Sequence, residues 1–435
     1  MMQLEVLCAL GFVAVIVLLL LRTPIGVALG LIGLGGLAIA ISPEAAIIKT
    51  GVIAWETVSK YELGVLPLFL FMANILFSAG VSSLFFDAAA KFVGHRRGGL
   101  ALASVAGCAG FGAISGSSLA TAATMGLVAL PEMRKAGYAP QLAAGSLAAG
   151  GTLGSLIPPS AALIVFGVIA EQSIRKLFMA GVVPALTQAA MYMVVIWIVC
   201  RINPALGPAQ PRAPWMARLR ALAAIADIVL LIVAVLTGIM VGWFTPTEAA
   251  SVGAIAALVI AGFRRKLSRA MLIEALTKTL QTAGMIYLVI IGALIFSAFV
   301  SATGFATYIS HLVDAAPGGA LGAVLLMTLV LLLLGTFIDG MGIMLLVTPI
   351  FLPIIQSHGL SPIWFGIFLV RTMEIGLIHP PVGMNIYVIH GIAKNISVMT
   401  IFRGVIPFLL SDLVHLGLLI AFPMIALWLP QILGA

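Results

Sequence analysis

The chain has 435 residues, 62% of them hydrophobic and 8% charged, with a mean hydropathy of +1.23. No soluble core uses that much apolar surface, so the sequence reads as a polytopic membrane protein with room for roughly ten spans of about 20 residues. The net charge of +8 is assigned to basic loops rather than to nucleic-acid binding.

The first apolar run, near 4–21, has no basic leader region and no small-residue cleavage site, and a second run follows at once. It is read as a first span and not as a signal peptide. Further spans are expected near 24–41 and 63–90. The intervening stretch 45–62 carries Trp55, Glu56 and Lys60 among apolar residues, which suits an amphipathic helix at the interface. Basic clusters then punctuate the chain at Lys91/Arg96/Arg97, Arg134/Lys135, Arg212/Arg218/Arg220 and Arg264/Arg265/Lys266/Arg269. The positive-inside rule puts all four in the cytoplasm. Residues 98–133 lie between two of them, so this segment must enter and leave by one face. Its middle, Gly112 to Ser118, is rich in Gly and Ser. A re-entrant helical hairpin is predicted. Irregular backbone at membrane depth survives only where protein or a wet cavity surrounds it.

A helix over 140–171, broken at 154–160, and a span near 178–200 complete the first half, 1–202. Arg175 and Lys176 fall on the outer side, against the charge rule. A proline- and arginine-rich cytoplasmic linker, 203–220, leads to the second half, 221–435. Spans are expected there near 221–243, 247–263, 281–302, 362–393 (broken at 376–383) and 404–429, with a second hairpin over 320–355 whose tip lies near Gly335 to Gly340. Residues 265–280, with Glu274 and Lys278, are read as another interfacial helix.

The halves repeat at an offset of 222 residues. Gly154, Pro158 and Pro159 return as Gly376, Pro380 and Pro381. Pro131, Gly137 and Pro140 return as Pro353, Gly359 and Pro362, and Thr23-Pro24 as Thr245-Pro246. The basic loops of one half match uncharged loops of the other. Arg134/Lys135 corresponds to Gln356/Ser357, and 91–97 to 313–319. Equivalent loops therefore fall on opposite sides, and the repeats are expected to be inverted. The fold class is an all-α membrane protein of two inverted repeats, each with five spans, one of them broken, and one hairpin. Gly/Pro-broken segments at matching places mark the binding site of secondary transporters.

Hairpin tips and broken helices bring free backbone groups to mid-membrane. Half-helix N-termini suit a carboxylate, and freed carbonyls suit sodium. Pro158 and Pro380 release the carbonyls of Gly154 and Gly376. Ser115, Ser117, Ser118, Thr336 and Asn385 add side-chain oxygens. Asp339, a carboxylate near the second tip, either binds a ligand or caps the loop. Arg371 and Glu374, three apart, are expected to pair within one helix. His379 precedes the second Pro-Pro pair, and His390 and His415 receive no role. Cys8, Cys108 and Cys200 lie in apolar segments without metal-ligand spacing. No catalytic motif and no P-loop is present, which excludes ATP hydrolysis by this chain.

Ser115-Gly116-Ser117-Ser118 with Ala120-Thr121-Ala122, Gly151 to Gly154 with Ile157-Pro158-Pro159-Ser160, Thr245-Pro246-Thr247-Glu248-Ala249 and Pro380-Pro381-Val382-Gly383-Met384-Asn385 resemble the large membrane subunit of tripartite ATP-independent periplasmic (TRAP) transporters. The resemblance runs through nearly the whole chain. It implies a sodium-coupled importer of an organic acid in a bacterial inner membrane, working by an elevator motion. It also implies two partners, a small four-helix membrane subunit and a periplasmic substrate-binding protein. Carried onto this sequence, it implies one sodium site from Ser115, Gly116, Ser117 and Ser118 with Gly154, Ile157 and Pro158. A second would use Gly335, Thr336 and Asp339 with Gly376, His379 and Gly383. Substrate would lie between the tips, near Ser117, Ser118, Ser160, Asp339, Pro381 and Asn385. His379 departs from the family's usual threonine. Either backbone carbonyls alone hold the ion there, or the histidine tunes pH dependence or substrate choice. The alternatives are a stand-alone sodium/carboxylate carrier and, less well supported, a channel or an intramembrane enzyme.

Overall fold

Polar caps and glycines divide the apolar sequence into helices. A computed structural model describes residues 2–314, 318–336 and 338–434, and regular structure in these residues is entirely helical. The first half contains α1 (Met2–Leu20), α2 (Ile25–Ala40), α3 (Pro43–Ser59), α4 (Val65–Ser78), α5 (Val81–Val93), α6 (Gly99–Ser115), α7 (Ser118–Lys135), α8 (Pro140–Leu156), α9 (Ala161–Ile169) and α10 (Ile174–Ile202). The second contains α11 (Trp215–Val241), α12 (Pro246–Phe263), α13 (Arg269–Thr303), α14 (Phe305–Asp314), α15 (Gly319–Gly335), α16 (Gly340–Ser357), α17 (Pro362–Gly376), α18 (Met384–Ile392), α19 (Val398–Ala421) and α20 (Met424–Ile432). Among the described residues, seven helical segments are long and apolar enough to cross a membrane, or eight if α8 and α9, bent by 42°, form one span. The chain is an integral membrane protein. Phe337 and residues 315–317, which the sequence reading places in the second tip and in a loop, lie outside the described residues.

Helix boundaries recur at the repeat offset. The pair α7 and α16 covers 118–135 and 340–357, and α8 and α17 start at Pro140 and Pro362. The first hairpin turns in two residues. Gly116, at φ 58°, ends α6 in a left-handed cap, and the Ser117 side chain accepts from Ala120 N to start α7. Contacts between Ser104 and Met133 and between Ser115 and Thr121 show the two arms running antiparallel. In the second hairpin Asp339 is the cap of α16, accepting from Gly342 N at 2.8 Å.

Three expected elements come out differently. The run 63–90 splits into α4 and α5 at Gly80, whose φ of +80° no continuing helix allows. The expected interfacial helix 265–280 is the start of α13, a continuous 35-residue helix. At 1.5 Å per residue this is roughly 50 Å, longer than the bilayer's apolar core. The Glu274–Lys278 pair, 2.6 Å apart, lies on that extension. The run 404–429 breaks at Phe422-Pro423 into α19 and α20.

The halves interlock. Helix α2 packs on α13 and α12 on α4, while α8 packs on α19 and α10 on α17. Small residues permit the closest of these approaches. A Cβ on Gly292 would sit 2.1 Å from the Gly26 carbonyl oxygen, and one on Gly404 would sit 1.9 Å from that of Gln141. Large apolar side chains stay exposed on the outside, among them Leu10, Leu230, Ile255 and Leu410, as lipid contact requires.

A candidate site between hairpins and broken helices

Each hairpin meets the broken helix of its own half through glycine. A Cβ on Gly112 would lie 2.9 Å from Gly154 Cα, and one on Gly335 would lie 3.3 Å from Gly376 Cα. At the first tip, Ala161 N donates to Gly116 O at 3.3 Å, so the hairpin turn joins the start of α9 by main chain. A Cβ on Gly154 would press on Ser117 O and Thr121 Oγ1, both at 2.6 Å. The Ser115 and Thr121 hydroxyls are 2.8 Å apart. The residues between α8 and α9, including buried Pro158 and half-buried Ile157, carry no helical pattern. Ser160 is fully buried. It donates to Ser155 O and accepts from Leu163 N, capping α9. Ser115, Gly116, Ser117, Ser118, Gly154 and Ser160 thus gather at one place.

Ser118 is the hub. Its hydroxyl lies 2.6 Å from Glu374 Oε2, 2.8 Å from Ser155 Oγ and 3.2 Å from Thr152 O. The first hairpin, α8 and α17 of the other half therefore meet at one buried hydroxyl. The expected Arg371–Glu374 pair is not what holds these residues. The Arg371 guanidinium turns to Asp412 on α19, and Glu374 turns to Ser118. Around Arg371 the network continues, with Gln188 Nε2 donating to Asp412 Oδ1 at 2.6 Å and Arg371 Nε to His415 Nδ1 at 3.2 Å. A histidine that accepts at Nδ1 carries its proton on Nε2, which then donates to Thr187 Oγ1 at 2.9 Å. His415, given no role from the sequence, is a link in this network. His390 Nδ1 lies 2.8 Å from Ile396 O.

The second break is less fully satisfied. Gly383, at φ 60°, starts α18. Asn385 is completely buried. Its N–H donates to Leu377 O and its Nδ2 to Ala148 O, but Oδ1 has no partner, and neither does buried His379 Nδ1. Two orphan polar atoms thus belong to the break at Pro380, and buried polar atoms that the protein leaves unpaired are a natural seat for a cation or a polar ligand. Pro381 is exposed at this break. The Thr336 hydroxyl donates to Leu333 O of its own helix, which leaves its oxygen lone pairs to accept. Asp339 caps α16 and lines a 550 Å³ crevice with Ile16, Leu19, Leu20 and Ile25 of the first half. The second tip thus divides, with Gly335 on the broken helix and Asp339 toward α1 and α2. Thr121, Ser155, Glu374 and Asp412 were not assigned to the site from sequence. The repeat could have pointed to Glu374, which stands 222 residues after Thr152, another residue of the same junction.

Comparison with known proteins matches these features to a family. The family model for the tripartite ATP-independent periplasmic transporter, DctM component, matches residues 12–425. The C4-dicarboxylate TRAP transporter large permease protein DctM of Pseudomonas aeruginosa is 37% identical over 92% of this chain and 93% of its own. The sialic acid TRAP transporter large permease protein SiaM of Vibrio cholerae is 31% identical over 86% and 87%. Among solved structures, the YdaH transporter of Alcanivorax borkumensis shares the fold with a TM-score of 0.62 at 14% identity, covering 90% of each chain. Family membership implies partnership with a small membrane subunit and a periplasmic binding protein. The chain belongs to the DctM family of TRAP transporter large permeases.

Proposed function

We propose that this chain is the large permease of a sodium-coupled importer that takes an organic acid from a periplasmic binding protein. The observation that carries the reading is the matched pair of contacts, Gly112 on Gly154 and Gly335 on Gly376, which sets two hairpins against two broken helices. Sodium is assigned to the carbonyls and hydroxyls around Ser115–Ser118 and Gly154, and to the second break with Asn385 Oδ1. The substrate carboxylate is assigned to the space between the tips, where half-helix N-termini favour negative charge. Relatives are named for C4-dicarboxylates, sialic acid and 2,3-diketo-L-gulonate, which carry a carboxylate, and for isethionate, a sulfonate, and a C4-dicarboxylate is the first candidate. The two halves are read as inverted repeats, divided at 203–220, that carry substrate by an elevator motion in the inner membrane. The chain is read as a carrier without catalytic activity.

Uptake into proteoliposomes tests this reading. The complex with the small subunit is supplied with candidate binding proteins loaded with labelled acids, under an inward sodium gradient. Uptake that needs both the gradient and the binding protein is expected. Uptake with sodium alone would establish the stand-alone carrier instead, and uptake indifferent to sodium would remove the ion assignment.

A further inference from the structure

Arg218, near the start of α11, is 6% exposed, and its Nε and Nη2 have no hydrogen-bond partner. Its guanidinium lies over the Phe92 ring, 5.9 Å from the centroid. A buried, unpaired guanidinium is costly unless something anionic meets it. Phe92 is also a wall of a 640 Å³ groove between α5, α6, α10 and α11. The groove is mostly apolar, its described lining includes Arg96 and Arg97, and no carboxylate is among that lining. Both arginines are exposed, and Trp197 and Leu222 leave apolar surface open at the groove. One end is thus cationic and the rest suits a hydrocarbon chain. An aromatic residue such as Trp197 is the type found at the headgroup level of a bilayer.

We propose that this groove is a binding site for an anionic phospholipid. Its phosphate meets Arg96 and Arg97, the Arg218 guanidinium against the Phe92 wall adds its charge, and an acyl chain lies along α5, α6 and α10. The charge distribution selects this occupant, because a zwitterionic lipid fits the apolar part equally but gains less from three cations. One wall of the site is α6, the first arm of the first hairpin, but the lining stops short of the Ser115–Ser118 tip and the site does not depend on the transported substrate.

The test uses the complex with the small subunit in detergent. Retained lipid is read by native mass spectrometry and thermal stability is followed with added phosphatidylglycerol or with phosphatidylcholine of the same chains. Phosphatidylglycerol is expected to bind and stabilise selectively. Arg218→Gln, and separately Arg96→Gln with Arg97→Gln, should weaken it by about fivefold per arginine, as expected for charges near an anionic lipid surface. Ala106→Phe, which fills the groove without touching the cations, should also reduce binding and guards against misfolding of the arginine variant. Equal effects of the two lipids, or selectivity that survives both Arg218→Gln and Ala106→Phe, would overturn the proposal. So would an equal shift from glycerol phosphate alone, which marks a free-anion site. Selectivity seen in the isolated chain but lost in the complex would assign the groove to the small subunit and end the lipid reading.

Discussion

Ser118 and Glu374 show what a single buried contact can do here. The Ser118 hydroxyl binds α17 to the first hairpin at 2.6 Å, so it positions the tip that carries the proposed sodium ligands. Ser118→Ala leaves Glu374 short of a partner and should cost about 1–3 kcal/mol. It should also raise the sodium concentration for half-maximal uptake. Glu374→Gln, which can still bond Ser118, should be milder than Glu374→Ala, and sodium titrations of uptake compare them. Equal sodium dependence in all three variants would reduce this contact to packing. Asp412→Ala is a harsher change, because it strands the buried Arg371 guanidinium. A loss of about 3–5 kcal/mol is expected, visible as a large drop in thermal stability in detergent. Sequence spacing suggested Arg371 with Glu374 because residues three apart share a helix face. It could not show Asp412, since that partner comes from α19 and is set only by tertiary packing.

Glycines decide how closely the helices approach, and α13 contains its own control. A Cβ at Gly292 meets the Gly26 carbonyl at 2.1 Å, while one at Gly284 meets nothing within 4 Å. Gly292→Ala should therefore force α2 and α13 apart and cost about 1–3 kcal/mol. Gly284→Ala should be neutral or stabilise by about 0.5–1 kcal/mol. Melting temperatures of the two variants check the contrast, and equal values would refute close backbone packing at Gly292. Another element-scale feature accounts for a residue that defied the charge rule. Arg175 donates to Met240 O at 2.7 Å, and a Cβ on Gly242 would lie 3.1 Å from its guanidinium. The cation caps the C-terminal end of α11, where the helix dipole favours it. The turn at Gly116-Ser117 and the interruptions at both Pro-Pro pairs were legible because glycine, proline and serine act locally. The ends of α4, α13 and α19 were not, because apolar runs look alike whether a glycine turns left-handed or an i,i+4 ion pair lets a helix continue past the membrane.

Across the whole molecule, helix packing crosses the chain's midpoint as well as staying within each half. Each half lends helices to the other, and the repeat in the sequence could not reveal which ones cross over, since an offset of 222 residues fixes equivalence but not contact. The interlocking bears on transport. Hairpin α15–α16 rests on α2, where a Cβ on Gly342 would lie 2.4 Å from Ile25 Cδ1. Under the proposed elevator motion this hairpin slides past α1 and α2. Cysteines at Ile25 and Gly342, in a chain whose buried Cys8, Cys108 and Cys200 are replaced, place two thiols across that contact. Mercuric ion, which bridges neighbouring thiols, should abolish uptake in the double variant, spare either single variant, and release on addition of excess thiol. Full uptake from a completely bridged protein would mean that α2 and the second hairpin move together, and the carrier would then need a different moving boundary.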